Sequence, residues 1–230
     1  MTTVTALGNA GFAVTLDGAC VLVDPFFEGA PRLPPARSRD AGSGPGATLI
    51  LITHDHWDHF NADKVIAAAR NGAVVGGGQR VIRKLEGRVP AEALVELEPA
   101  SPGPGEKCKG LSFQRAGAAV TAFRTFHSHG HNSYLVDMGG VRFFHDGDNE
   151  RTQLVDPAAL GQLDAVMLCC WQGSGWVEFL EALNYRHWLL MHLDEEELDS
   201  HERGMFLPPL CARVPRDVIA LRPGQSLDLG

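Results

Sequence analysis

The sequence has no run of roughly 18 or more apolar residues, so no membrane-spanning helix is expected. It has no basic start followed by an apolar stretch, so no secretory signal is expected either. Cysteine is sparse: Cys20, Cys108, Cys169, Cys170 and Cys211 are odd in number and show no C-x-x-C spacing. That pattern argues against a disulfide framework and for reduced thiols in a cytoplasmic protein. A basic excess is also missing. The formal net charge is −8, whereas a binder of phosphate backbones is usually basic overall, so nucleic acid is not the expected partner. Long charge runs are absent; the longest, Glu195-Glu196-Glu197, reads as a solvated helix start. No internal repeat and no low-complexity tract is visible.

What is present is ordinary globular composition, 44% hydrophobic and 21% charged over 230 residues. That length supports a sizeable core and a single domain over residues 1–230. Short strands are expected at residues 4–7, 12–16 and 20–24, with turns at Gly8-Asn9 and Asp17-Gly18. The apolar run TLILIT at 48–53 fits a buried central strand. Asn61 resembles an N-cap for a helix over 62–70. A strand at 73–76, a helix at 79–85 and a strand at 93–97 follow. The second half repeats the style, with strands at 111–114, 119–126, 133–137, 141–145, 165–169, 188–191 and 218–221. A helix is expected over 177–183, and Gly139-Gly140 signals a hairpin. Segments 28–47 and 99–110 are rich in Pro, Gly and charge and read as loops. Strand runs with interspersed helices suggest a layered α/β protein with two mixed sheets.

The chemistry concentrates in Thr53-His54-Asp55-His56-Trp57-Asp58-His59, directly after the central strand. Imidazole and carboxylate suit Zn, Mn or Fe. A loop leaving a strand turns alternate residues toward one point, and a following helix start brings Asp58 and His59 to the same side. The plain alternative, a His-rich surface loop without metal, is disfavoured because loops rarely gather so many donors at a strand end. His187 and His201 read as surface or core-edge residues. His127, His129 and His131 alternate, so in an extended strand all three face one way. Asp146 and Asp148 compete in the same manner, with Asp146-Gly147 fitting a turn.

His54-x-His56-x-Asp58-His59 resembles the signature of the metallo-β-lactamase fold superfamily. The resemblance extends over nearly the whole chain. Residues 7–12 (LGNAGF) and 21–26 (VLVDPF) resemble the opening hairpin of its ascorbate-6-phosphate lactonase-like branch, in which His often stands at the place of Asn9. Thr125-Phe126-His127 resembles the strand carrying the third histidine, His145-Asp146-Gly147-Asp148 a hairpin ending in Gly-Asp, and Leu190-Met191-His192 the final histidine.

The resemblance implies a four-layer αβ/βα sandwich with two metals at the junction of the sheets. Carried over by motif, His54, His56 and His127 hold the first metal. Asp58, His59 and His192 hold the second, and Asp148 bridges them. Asp24 orients a ligand histidine, as metal-bound imidazoles require. His127 is favoured because it ends the 119–126 strand, with His129 next; the Gly-Asp register selects Asp148.

Two divalent cations follow, Zn before Mn or Fe. A water bridging such a pair loses a proton near neutral pH, because a bound cation lowers its pKa to about 7. Asp58 is the candidate acceptor of the proton released on attack. Cys169-Cys170 reads as packed core rather than nucleophile. The function read from the sequence is a dinuclear metal-dependent hydrolase of a small molecule, cleaving a lactone, amide or phosphoester bond. The alternatives are an oxygenase or lyase on the same scaffold, or a metal-binding module without turnover. Trp57, between ligands, is expected near the site; Phe26, Phe27, Trp171 and Trp176 fit core packing at least as well. Arg32, Arg37 and Arg39 read as a solvated loop. Homo-oligomerisation stays open.

Overall fold

The computed structural model describes residues 1–25, 48–170 and 175–230. The loop read at 28–47, with Arg32, Arg37 and Arg39, lies outside the described residues, as do Phe26, Phe27 and Trp171. In chain order the strands are β1 (Thr2–Gly8), β2 (Gly11–Leu16), β3 (Ala19–Val23), β4 (Thr48–Ile52), β5 (Val74–Gly77) and β6 (Leu94–Glu96), then β7 (Gly110–Arg115), β8 (Ala118–Arg124), β9 (Asn132–Met138), β10 (Val141–His145), β11 (Gln162–Leu168), β12 (Asn184–Leu190), β13 (Val218–Ala220) and β14 (Ser226–Asp228). The helices are α1 (Ala62–Arg70), α2 (Gln79–Leu85), α3 (Pro157–Leu160), α4 (Trp176–Ala182) and α5 (Glu195–Glu202). Among the described residues no helix is long and apolar enough to cross a membrane.

Two seven-stranded sheets form, in the orders β14-β1-β2-β3-β4-β5-β6 and β13-β12-β11-β10-β9-β8-β7. Each is mixed in the same way. An antiparallel ribbon (β14-β1-β2-β3; β10-β9-β8-β7) adjoins a parallel set (β3-β4-β5-β6; β10-β11-β12-β13).

Side-chain alternation explains the layers. In β4, Leu49 and Leu51 enter the core between the sheets, while Ile50 and Ile52 pack outward with Val65, Ile66, Val81 and Leu85 of α1 and α2. In β11 and β12, Met167 and Leu189 face the inner core, while Val166, Leu168 and Trp188 pack with Trp176, Phe179 and Leu180 of α4. The result is an α/β sandwich, helices outside and sheets inside. A strand buried on both faces reads as continuous hydrophobicity, as TLILI does. Truncating Leu51 to Ala would cost about 2–5 kcal/mol and loosen the strand that launches the histidine cluster.

Local signals account for most boundaries. The Asn61 side chain caps α1 by accepting from the Lys64 N–H, and α5 begins with a capping box between Asp194 and Glu197. Gly139 and Gly140, both at positive φ (62° and 89°), join β9 to β10. A Cβ on Gly139 would fall 2.3 Å from Leu16 Cδ2, so close approach also demands glycine there.

Two expectations need correction. The strand read at 119–126 stops at Arg124, because the Thr125 N–H turns back to the His131 carbonyl at 3.3 Å; His127 therefore follows the strand rather than ending it. The strand read at 188–191 begins at Asn184, where pairing with β11 extends it past its apolar part. Strand β14 and helix α3 carry too little pattern to be read in advance.

Candidate metal centre

The C-terminal ends of β3, β4, β8, β10 and β12 converge, and the residues just beyond them form the site. Two donor groups lie there: His54, His56 and His127; and Asp58, His59, Asp148 and His192. Within each group one ligand-type atom per residue lies within 4.8 Å of all the others. The seven residues are those carried over by motif.

Asp24 organises the first loop. It is fully buried at the end of β3. Its Oδ1 accepts from the Thr53 N–H (2.8 Å) and its Oδ2 from Thr53 Oγ1 (2.6 Å). The same Oδ2 lies 2.7 Å from His59 Nδ1. That bond fixes the His59 ring and presents Nε2 to the cluster. Because Thr53 Oγ1 donates to Asp24, its lone pair is left for His54 Nδ1–H at 3.0 Å. His54 Nε2 then carries a lone pair, is buried, and has no hydrogen-bond partner among the described residues. Burial, followed by repulsion from His59, pushes the His54 pKa down to about 2, so the ring is neutral. A buried, neutral, unpartnered imidazole nitrogen is the form that binds a cation.

Asp148 touches both groups. Its Oδ2 lies 3.2 Å from His59 Nε2, 3.6 Å from His127 Nε2 and 3.9 Å from His54 Nε2, and its Oδ1 lies 3.4 Å from His192 Nε2. Burial opposes its charge, but His192 and His59 outweigh it and hold the carboxyl well below the usual carboxylate range. Asp58 Oδ2 lies 3.4 Å from His192 Nε2 and 3.7 Å from His59 Nε2. Burial again opposes its charge, and the bond to His192 and the field of His59 lower its pKa. In return the carboxylates overcome burial and raise His59 to about 10 and His192 to about 9.

The spacing suits metal ions. His127 Nε2 and His56 Nδ1 are 3.3 Å apart, as are His59 Nε2 and His192 Nε2. The edge of a tetrahedron with metal–nitrogen bonds of about 2.0–2.1 Å is roughly 3.3–3.4 Å. The residues present therefore fit a pair of N/O-liganded cations.

Of the alternating histidines, the structure brings only His127 among these donor groups. His131 is fully buried, and its Nε2 accepts the Asp148 backbone N–H at 3.0 Å. Its Nδ1–H then donates to Thr125 Oγ1 (2.7 Å). His129 is exposed and lines a neighbouring cavity. Asp146 points away from the cluster into a bond with Ser133 Oγ (2.8 Å) and the Asn149 amide (3.0 Å), and burial lifts its pKa to about 8. Trp57 is 66% exposed at the rim, whereas Trp176 is core. Cys169 and Cys170 are both buried, and burial raises the Cys170 thiol to about 12, which suits packing rather than attack. His187 and His201 join neither group.

Several supporting residues have no signal in the sequence. Glu150 Oε1 holds His127 Nδ1 at 2.9 Å. Asn9, at φ 49°, accepts the His192 N–H on its carbonyl (3.0 Å) and donates its amide to the Asp58 carbonyl (2.7 Å). His131 and Thr53 act likewise, on Asp148 and His54. Only the alternation of His127, His129 and His131 hinted at any of this.

Comparison with known proteins identifies the family and the fold. A family model described as a beta-lactamase superfamily domain matches residues 3–190. A metal-dependent hydrolase from Nitratidesulfovibrio vulgaris is 34% identical over 154 residues, 64% of this chain; the match spans 59% of that relative's length. Among solved structures, a metallo hydrolase from Ignicoccus hospitalis shares the fold at a TM-score of 0.65 and 16% identity, covering 98% of this chain and 97% of its own. CmlA, a diiron β-hydroxylase from Streptomyces venezuelae, also gives a TM-score of 0.65, at 14% identity, with 98% of this chain and 54% of its own covered. At such identities the likeness is one of fold.

Proposed function

The chain belongs to the beta-lactamase superfamily, and we propose that it is a metal-dependent hydrolase using two divalent cations to cleave a lactone, amide or phosphoester bond in a small molecule. The observation that carries this reading is Asp148, whose two oxygens face both donor groups. His54, His56 and His127 would hold one cation and Asp58, His59 and His192 the other, with Asp148 shared. Zinc suits the N/O set best; manganese or iron is compatible. When bound, such a pair supplies Lewis acidity and a water acidified to a pKa of about 7.

The protein's own part is positioning and proton handling. Asp24 and Glu150 lock the rings of His59 and His127, and Thr53 fixes the tautomer of His54. Asp58 is ionised, and its side chain is 23% exposed, so it can take up the proton lost on attack and pass it to solvent. His56 and Trp57, both exposed, leave the cluster open to a substrate from this side. Cytoplasmic residence belongs to the same proposal, on the cysteine usage.

The test is metal analysis followed by turnover assays of the metal-loaded protein on lactones, amides and phosphoesters. Hydrolysis that disappears with the metals and returns on reloading supports the reading. Oxygen consumption by iron-loaded protein without hydrolysis would replace it by the oxygenase alternative.

A further inference from the structure

His145 is the last residue of β10, and its ring is fully buried, edge-on to Phe12 of β2 with the ring centroids 6.1 Å apart. Its Nε2 lies 2.8 Å from the carbonyl oxygen of Ala10, in the turn between β1 and β2. A carbonyl only accepts, so Nε2 carries the proton. Nδ1 is then left with a lone pair, which accepts the Gly147 N–H at 3.2 Å. Burial lowers the pKa of this ring, in keeping with one nitrogen donating and the other accepting. His145 therefore ties a turn of the first sheet to a turn at the end of the second.

Both turns hold donors of the candidate metal centre. On one side Asn9 precedes Ala10; its carbonyl accepts the His192 N–H (3.0 Å) and its amide donates to the Asp58 carbonyl (2.7 Å). On the other side Gly147 precedes Asp148, whose own N–H goes to His131 (3.0 Å). A path of hydrogen bonds thus runs from His192 and Asp58 through Asn9, Ala10, His145 and Gly147 to Asp148. A phenylalanine would fill the place beside Phe12 without the cost of burying two ring nitrogens. What the imidazole adds is two directed bonds, and a fully paired buried polar group fixes geometry. We propose that His145 is a positioning residue of the metal centre: by joining Ala10 to Gly147 it sets the separation of His192 and Asp58 from the shared carboxylate Asp148. The inference rests on the two-cation reading and adds that the second donor group is held by a strut between the sheets.

The test is stepwise cobalt(II) loading against a competing chelator, followed by visible absorption. The wild type is compared with His145→Phe, which keeps the packing and removes both bonds, and with His145→Gln, whose amide nitrogen can still reach the Ala10 carbonyl. In His145→Phe one cobalt equivalent, the one that Asp24→Asn also weakens, should bind about 10–100-fold less tightly and change its ligand-field spectrum. The other equivalent should change least, and His145→Gln should recover most of the loss. Nitrogen-15 NMR of the wild-type histidines tests the link even if His145→Phe does not fold. The His145 signal, assigned by its absence from His145→Gln, should report a neutral ring protonated on Nε2. Equal weakening of both equivalents, a His145→Gln no better than His145→Phe, or a His145 ring protonated on Nδ1 overturns the proposal. A wild type that binds two cobalt ions, with His145→Phe unchanged, removes this inference alone. A wild type that binds none removes the two-cation reading and this inference together.

Discussion

His131 Nε2 accepts the backbone N–H of Asp148 at 3.0 Å, so a fully buried histidine supports the carboxylate that faces both donor groups. It uses the nitrogen a ligand would need, which makes it a positioning residue. His131→Asn should lower metal affinity by about 10–100-fold and be partly rescued by excess metal. Chelator competition measures this. Affinity equal to wild type would remove the positioning role, and a loss that excess metal does not restore would make His131 a ligand.

The same contact constrains Gly147. Its φ is 59°, and a Cβ there would fall 2.5 Å from His131 Nε2. Gly147→Ala should destabilise the metal-free protein by about 1–3 kcal/mol through backbone strain alone, with the clash adding to it. Denaturant midpoints of both forms decide the matter; an unchanged midpoint contradicts it.

The two donor groups have separate carboxylate supports, Glu150 behind His127 and Asp24 behind His59. Glu150→Gln should therefore weaken one metal and Asp24→Asn the other, each by about 10–100-fold. Stepwise metal titration should show one tight and one weakened site in each variant. Equal loss at both sites in both variants would refute the separation.

Asp58→Asn keeps size and one donor oxygen but removes charge and basicity. Turnover on whichever substrate is found should fall by about 10²–10⁴-fold even at saturating metal. Near-wild-type turnover at full occupancy would reduce Asp58 to a structural ligand.

Metal binding should release protons. Without metal, Asp24 and Asp148 hold His59 up to about 10, and Asp148 and Asp58 hold His192 up to about 9, despite burial. Both rings are thus protonated at pH 7.5, and each must lose a proton to bind a cation. Apparent metal affinity should rise with pH until it passes these values. Calorimetry in buffers of different ionisation enthalpy reads the protons directly; a binding heat independent of buffer would contradict the assignment.

Much of this site was legible in advance because its donors are concentrated. His54, His56, Asp58 and His59 sit within six residues after an unmistakable buried strand, and chemistry of that density has few readings. His127, Asp148 and His192 were reached only through resemblance to a family, since nothing local distinguishes His127 from His129 or Asp148 from Asp146. The misplaced end of the 119–126 strand shows the limit. Phe126 looks apolar enough to continue it, yet is 44% exposed, because Thr125 pairs with His131 and turns the chain.

The sequence by itself determined the layered α/β class, the buried central strand and the type of chemistry, because hydrophobic alternation and donor identity are written residue by residue. Only the tertiary structure decided which histidine faces the cluster and which supports it, and that Glu150 and Asn9 help to hold it in place. It also decided that His145 joins Ala10 to Gly147. Those facts depend on where strand ends from two sheets meet, and distances across a fold are set by packing, which no local pattern encodes.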